Sequence, residues 1–120
     1  MSFSWNDFLI LAEKLANHPD PTVDEASFRT ATSRAYYAAF NESKDYAVRK
    51  LGFAPTKGPD VHKLLRITFE NSGMTEIAHS LDRLREWRNA CDYDSAMPVS
   101  AQYSTNAVAV AKKVLQKLKN

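Results

Sequence analysis

The stretch Leu84-Arg85-Glu86-Trp87-Arg88-Asn89-Ala90-Cys91-Asp92-Tyr93-Asp94 gathers side chains suited to chemistry on a phosphate. Arginine offers a planar fork of N–H donors to phosphate oxygens, and within this stretch an amide, three carboxylates and a phenol stand within two helical turns of Arg88. At about 100° per residue, Ile77, Leu81, Leu84 and Cys91 share one face, and Arg88 falls in the middle of it with Asp92 one turn beyond. Ions on an apolar face carry a large desolvation cost unless they have a partner or a ligand. Two readings stay open. Arg88 and Asp92 form a buried pair that fixes packing or a dimer interface, or Arg88 lies at the floor of a cleft to meet a phosphate. An i, i+4 pair with the acid after the base is the weaker order on a helix, so local helix stability explains the pair poorly.

Arg83, Arg85 and Arg88 with Trp87 form a basic and aromatic cluster suited to a phosphate backbone and a stacked base. For Arg83 and Arg85 the plainer expectation is pairing with Asp82 and Glu86 on a solvated face. The histidines His18, His62 and His79 make no i, i+4 pair and no Cys/His cluster, so neither a metal site nor a cofactor is expected. His62 is expected to project away from the apolar stripe of its helix, as a solvated or capping residue, and His79 to lie on a polar face. The three glycines are too dispersed for a phosphate-cradling loop, and no Walker or Gly-x-Ser-x-Gly pattern exists.

These side chains must be held by helices. A first helix is expected from the cap-like Ser4-Trp5-Asn6-Asp7 to about Asn17, with Trp5, Phe8, Leu11, Ala12 and Leu15 at helical spacing. His18-Pro19-Asp20-Pro21 is a stiff connector. A long second helix runs from about Val23 to Leu51 and places Phe28, Thr32, Tyr36, Ala39, Phe40, Ser43, Ala47 and Leu51 on one face. Its alanines at 31, 35, 38 and 39 allow close approach of neighbours around Tyr36 and Tyr37. After a loop from Gly52 to Pro59, a third helix with Val61, Leu64, Leu65 and Thr68 as its apolar face closes at Asn71-Ser72-Gly73. Thr75 and Ser100 are expected to cap the fourth and fifth helices, and the fifth carries the stripe Tyr103, Ala107, Val110, Ala111, Val114 and Leu118. No segment alternates like a strand, and no repeat or low-complexity tract is present.

A chain of 120 residues with 44% hydrophobic and 25% charged residues reads as one globular domain over residues 1–120, all-α, an up-and-down bundle of four helices with an extra short one. The net charge of +2 permits a nucleic-acid partner without requiring one. Cys91 has no intramolecular partner and reads as a small buried hydrophobe, consistent with a reducing compartment. The start Met1-Ser2-Phe3-Ser4-Trp5-Asn6-Asp7 lacks the basic region of a signal peptide and no apolar run is long enough for a bilayer, so a cytoplasmic protein with no membrane partner is expected.

Ser33-Arg34-Ala35-Tyr36-Tyr37-Ala38-Ala39-Phe40-Asn41, taken with the Leu84 to Asp94 stretch, resembles the HEPN superfamily, in particular its small stand-alone bacterial branch. His62-Lys63-Leu64-Leu65 and the closing helix fall where that branch has them, and the resemblance covers nearly the whole chain. It implies a four-helix bundle with a short additional helix that dimerises through its fourth helix across a cleft. It also implies a toxin–antitoxin or defence setting, an RNA substrate, and a minimal nucleotidyltransferase partner that modifies a tyrosine. Ribonuclease members carry an arginine followed, between one and two turns later, by a histidine. Here Tyr93, Asp94 and Ser95 stand where that histidine belongs. The resemblance therefore carries the catalytic arginine to Arg88 and its polar neighbour to Asn89, and leaves Asp94 or Tyr93 as substitutes needing a strongly perturbed site. Arg85, Arg88, Asp92 and Tyr93 are the expected contacts to RNA or a partner. The alternative is a non-catalytic helical dimerisation or interaction module.

Overall fold

A computed structural model describes residues 3–56 and 58–119 of the chain. Met1, Ser2, Lys57 and Asn120 lie outside the described residues, and with them the first two positions of the N-terminal stretch. The described residues form five α-helices and no strand: α1 (Asn6–Asn17), α2 (Asp24–Lys50), α3 (Val61–Asn71), α4 (Thr75–Tyr93) and α5 (Ala101–Leu118). The all-α architecture expected from periodicity holds, with α3 as the short helix.

Helix α2 is the axis of the bundle and touches each of the other four. Ala31, Ala35, Ala38, Ala39 and Ala47 are fully buried along it. With no side chain beyond Cβ, they let the flanking helices approach closely. Leu65, Phe69, Ile77, Leu81, Leu84, Ala107, Ala111 and Val114 complete the core from α3, α4 and α5. Surface ion pairs Lys112–Glu13 and Lys117–Glu76 tie α5 to α1 and α4.

Two helix ends set the positions that matter for the site. After α3, Gly73 takes φ +79°, so that its N–H bonds the Glu70 carbonyl and the Met74 N–H bonds the Phe69 carbonyl, a Schellman closure. The chain thus reverses directly into α4. At the other end of α4, the Arg29 guanidinium reaches across from α2 to the carbonyl of Cys91 at 2.8 Å and that of Met97. Phe28, Cys91 and Val99 form a small second core beneath it, which folds the segment after Tyr93 back onto the bundle.

Several local expectations change. Neither Ser4 nor Thr75 is a capping residue; Trp5 and Met74 occupy those positions, and Ser100, though at the cap of α5, makes no side-chain cap bond. Leu11 is exposed, and Leu9, Ala12 and Ala16 are the buried positions of α1. Helix α3 is rotated from the face expected for it: His62, Leu65 and Phe69 point inward and Leu64 is exposed. No described helix is long and apolar enough to cross a membrane.

Candidate functional site

The seam between α2 and α4 holds Arg88. Its apolar neighbours on the helix, Leu81, Leu84 and Cys91, are buried, but Arg88 lies further out, with its side chain 20% exposed. The long side chain lays its stem along the seam and keeps the charged head near water. Three tyrosine rings surround that head: Tyr37 at 5.2 Å, Tyr93 at 5.5 Å and Tyr36 at 5.9 Å from the guanidinium carbon. These distances are within cation–π range.

The polar contacts of Arg88 are one-sided. Nε donates to Asp92 Oδ2 at 2.9 Å, Nη1 to Asn89 Oδ1 at 3.1 Å and Nη2 to the Tyr93 hydroxyl at 3.4 Å. A second N–H on each terminal nitrogen is left over, because each carries two hydrogens. Ser33 Oγ, from α2, donates to the same Asp92 oxygen at 3.4 Å. Burial pulls the Arg88 pKa down, but Tyr37, Asp92 and Tyr93 outweigh it and the net direction is upward, so the group is cationic throughout the accessible pH range.

Arg88, Asn89, Asp92 and Tyr93 are therefore brought together by one helix end. Asp94 is not part of the group. It leaves the helix as the C-cap, is exposed, and accepts the Ala96 N–H at 3.1 Å. Arg85 is exposed, makes no ion pair among the described residues, and stands near enough to Tyr36 and His62 to perturb both. Arg83 lies on the α5 side of the helix instead, over the Trp87 ring at 5.9 Å, with Trp87 edge-on to Tyr103. The single cluster expected of Arg83, Arg85, Arg88 and Trp87 is thus split across two faces. Neither Arg83 nor Arg85 pairs with Asp82 or Glu86.

Asp82 has other partners, and the reason is His62. The expected solvated histidine is 6% exposed. Its Nδ1 lies 3.0 Å from the Tyr36 hydroxyl and its Nε2 3.1 Å from Asp82, while Arg66 reaches Asp82 at 3.5 Å and Glu70 at 2.8 Å. Phe40 stacks against both rings, 5.6 Å from Tyr36 and 6.0 Å from His62. Burial lowers the His62 pKa, against the opposing effect of the hydrogen bond that its Nε2–H donates to Asp82. Burial also pushes the Tyr36 hydroxyl up to about 12, with Arg85 and Arg88 pulling the other way. A neutral imidazole with its proton on Nε2 facing Asp82 accepts the Tyr36 proton at Nδ1 and satisfies all three groups. This network braces, from beneath, one of the rings around Arg88. A histidine three positions before Leu65 and seven before Phe69 was the available signal for it, since those three share a face.

Among the described residues no group of His, Cys, Asp and Glu is arranged to hold a metal ion. Cys91 is buried and its thiol pKa is raised by that burial, as suits a packed thiol.

Fold and site together define a class: an all-α bundle whose fourth helix carries, in its last two turns, an arginine enclosed by tyrosines from the second and fourth helices. The HEPN domain family model matches residues 7–120. The chain belongs to that family. Comparison with curated proteins and with solved structures returns no match.

Proposed function

We propose that the protein binds single-stranded RNA at the α2–α4 seam, as a homodimer, within a bacterial toxin–antitoxin or defence system. The observation that carries the reading is the Arg88 guanidinium itself. It is fixed among three rings and still has unused N–H donors, so it can accept a phosphate without rearranging. Tyr93, 75% exposed, offers a free ring face to a base. Asp92 and Asn89 act by orienting Arg88.

Binding is favoured over cleavage. The acid that would replace the missing histidine, Asp94, is turned toward the Ala96 N–H and makes no bond to Arg88. The dimer reading rests on the outer face of α4, where Arg85 and Glu86 are exposed side by side and neither has an ion-pair partner among the described residues. A two-fold related copy can pair each with the other.

Fluorescence anisotropy with a labelled oligonucleotide tests the RNA reading. Arg88→Ala is expected to weaken binding about ten-fold or more and to flatten the slope of log K against log salt by about 0.7 for each phosphate that the variant no longer engages. Unchanged affinity and slope in an Arg85→Ala/Arg88→Ala double variant would exclude the site. A second reading has its own support in the exposure of Tyr93: its hydroxyl can accept a nucleotidyl group from a minimal nucleotidyltransferase, with pyrophosphate leaving. Intact mass after co-expression with such an enzyme tests it, and an unmodified protein removes it.

A further inference from the structure

The rings and cations around Arg88 do not stop there. Tyr37, which packs on Arg88 at 5.2 Å, also packs on Arg34 at 5.8 Å, and Arg34 lies over Phe8 of α1 at 5.2 Å. Phe8 meets Phe3 at 5.4 Å and Trp5 at 5.4 Å, and those two meet each other at 5.1 Å, all edge to face. Rings and guanidinium groups therefore alternate from Tyr93 on α4, across α2, to the start of α1, in steps of 5.2–5.8 Å. Both ends are open, with Tyr93 75% and Phe3 55% exposed.

Three further observations point to what lies along this line. Arg34 makes no hydrogen bond and no ion pair among the described residues; two aromatic rings hold it and leave the edge of its fork unpaired. Trp5 is pinned by a bond of 3.1 Å from its indole N–H to Asp45, which fixes the ring as a wall. Beyond Phe3 and Trp5 a hollow of about 570 Å³ opens, lined also by Lys44, Val48 and Arg49. Glu42 and Asp45 border it too, set against the cations Lys44 and Arg49, and Asp45 is the carboxylate that accepts the Trp5 N–H.

From this geometry we infer that the alternating line of rings and arginines is a track for single-stranded RNA, leading from the Arg88 seam over Arg34 to the open hollow walled by Phe3 and Trp5. The inference rests on RNA binding at Arg88 and extends it to a second, N-terminal half of the surface. The guanidinium edges of Arg88 and Arg34 take phosphates on either side of Tyr37, while the open faces of Tyr93, Phe3 and Trp5 take bases. Stacking reads no base edge, so the track is indifferent to sequence. A protein partner is the less favoured occupant. Its backbone has no charge to set against Arg34 and Arg88, whereas a phosphodiester presents one at every step.

Trp5 and Trp87 are the chain's two tryptophans, and Trp87 lies on the α5 side away from the track. A Trp87→Phe protein therefore reports on Trp5 alone. Oligoadenylates of increasing length are titrated, with anisotropy of a labelled end read in parallel. Dinucleotides are expected to bind weakly in an Arg88-dependent way and leave Trp5 fluorescence unchanged. Longer strands should bind about ten-fold or more tighter and quench it. Arg34→Ala should remove the gain with length and leave dinucleotide affinity as it was, Arg34→Lys should restore part of it, and Phe3→Ala should act on long strands only. Long strands that bind no tighter than short ones and never quench Trp5, with Arg34→Ala silent, would overturn the track while leaving the Arg88 site standing. Quenching by an acidic peptide and not by RNA would also overturn it. Absence of any RNA binding would fail the Arg88 site first and the track with it.

Discussion

The Tyr36 hydroxyl and His62 Nδ1 lie 3.0 Å apart and join two helices inside the bundle, with His62 Nε2 bonded in turn to Asp82 on a third. Because Asp82 accepts the proton on Nε2, Nδ1 is left as the acceptor for Tyr36. The tyrosine ring is thereby fixed both in position and in rotation beneath Arg88.

His62→Ala should cost about 2–4 kcal/mol, since it strands the Tyr36 hydroxyl in an apolar setting and opens a cavity against Phe40. Denaturant unfolding checks this. Tyr36→Phe removes the hydroxyl and keeps the ring, so it should cost less, about 1 kcal/mol. Equal losses in the two variants would mean that the hydrogen bond, and not the packing of the imidazole, carries the effect.

Stability should fall with acid in a window that His62 sets. Its folded pKa lies below the unfolded value of 6.5 because burial disfavours the imidazolium. The unfolded chain therefore binds the proton more readily, and the stability from neutral His62 is complete above pH 6.5 and declines as pH falls from there through the folded pKa. Melting temperatures between about pH 7.5 and pH 5 should drop, and His62→Gln should flatten that drop. A variant with the same slope as the parent protein would assign the drop to carboxylates instead.

Arg29 holds the end of α4 and the returning segment by its bonds to the carbonyls of Cys91 and Met97. Arg29→Ala should cost about 1–3 kcal/mol, and more visibly should raise hydrogen exchange over residues 94–99. Helix α3 should keep its protection. Glu25, the outer member of its pair with Arg29, is half exposed, and Arg29 keeps its carbonyl partners without it, so Glu25→Ala should change stability by under about 1 kcal/mol.

How much of the molecule is legible in its sequence depends on where the information lies. The five helices, the α2 axis and the burial of Cys91 follow from spacing along single helices, and spacing is written locally. The inward turn of His62 is not. Val61, Leu64, Leu65 and Thr68 make as good a stripe as His62, Leu65 and Phe69. The choice is decided by Tyr36 and Asp82, partners 26 and 20 residues away. Arg29 is likewise an ordinary surface arginine until the end of α4 arrives, 62 residues later. Of the site itself, the clustering of Arg88, Asn89, Asp92 and Tyr93 is visible as i, i+1, i+4 and i+5 neighbours on one helix. The contributions of Tyr36, Tyr37 and Ser33 require the packing of α2 against α4.

Asp92 competes with any phosphate for Arg88, and this yields the sharpest separation between a binding site and a packing pair. Its Oδ2 takes the Nε–H at 2.9 Å, partly exposed on a seam where water already solvates part of both groups. If Arg88 served packing alone, Asp92→Asn would weaken the fold and RNA affinity would not register the change. If Arg88 meets a phosphate, the carboxylate repels the ligand and occupies its donor, so Asp92→Asn should raise affinity about three-fold to ten-fold at low salt, with the gain shrinking as salt rises. The stability cost should stay near about 1 kcal/mol, because the asparagine oxygen can still accept from Nε and the pair is partly exposed. Paired anisotropy and melting measurements on this one variant read both quantities. An affinity that falls or holds constant while the melting temperature drops would assign the Arg88–Asp92 pair to the architecture of the bundle.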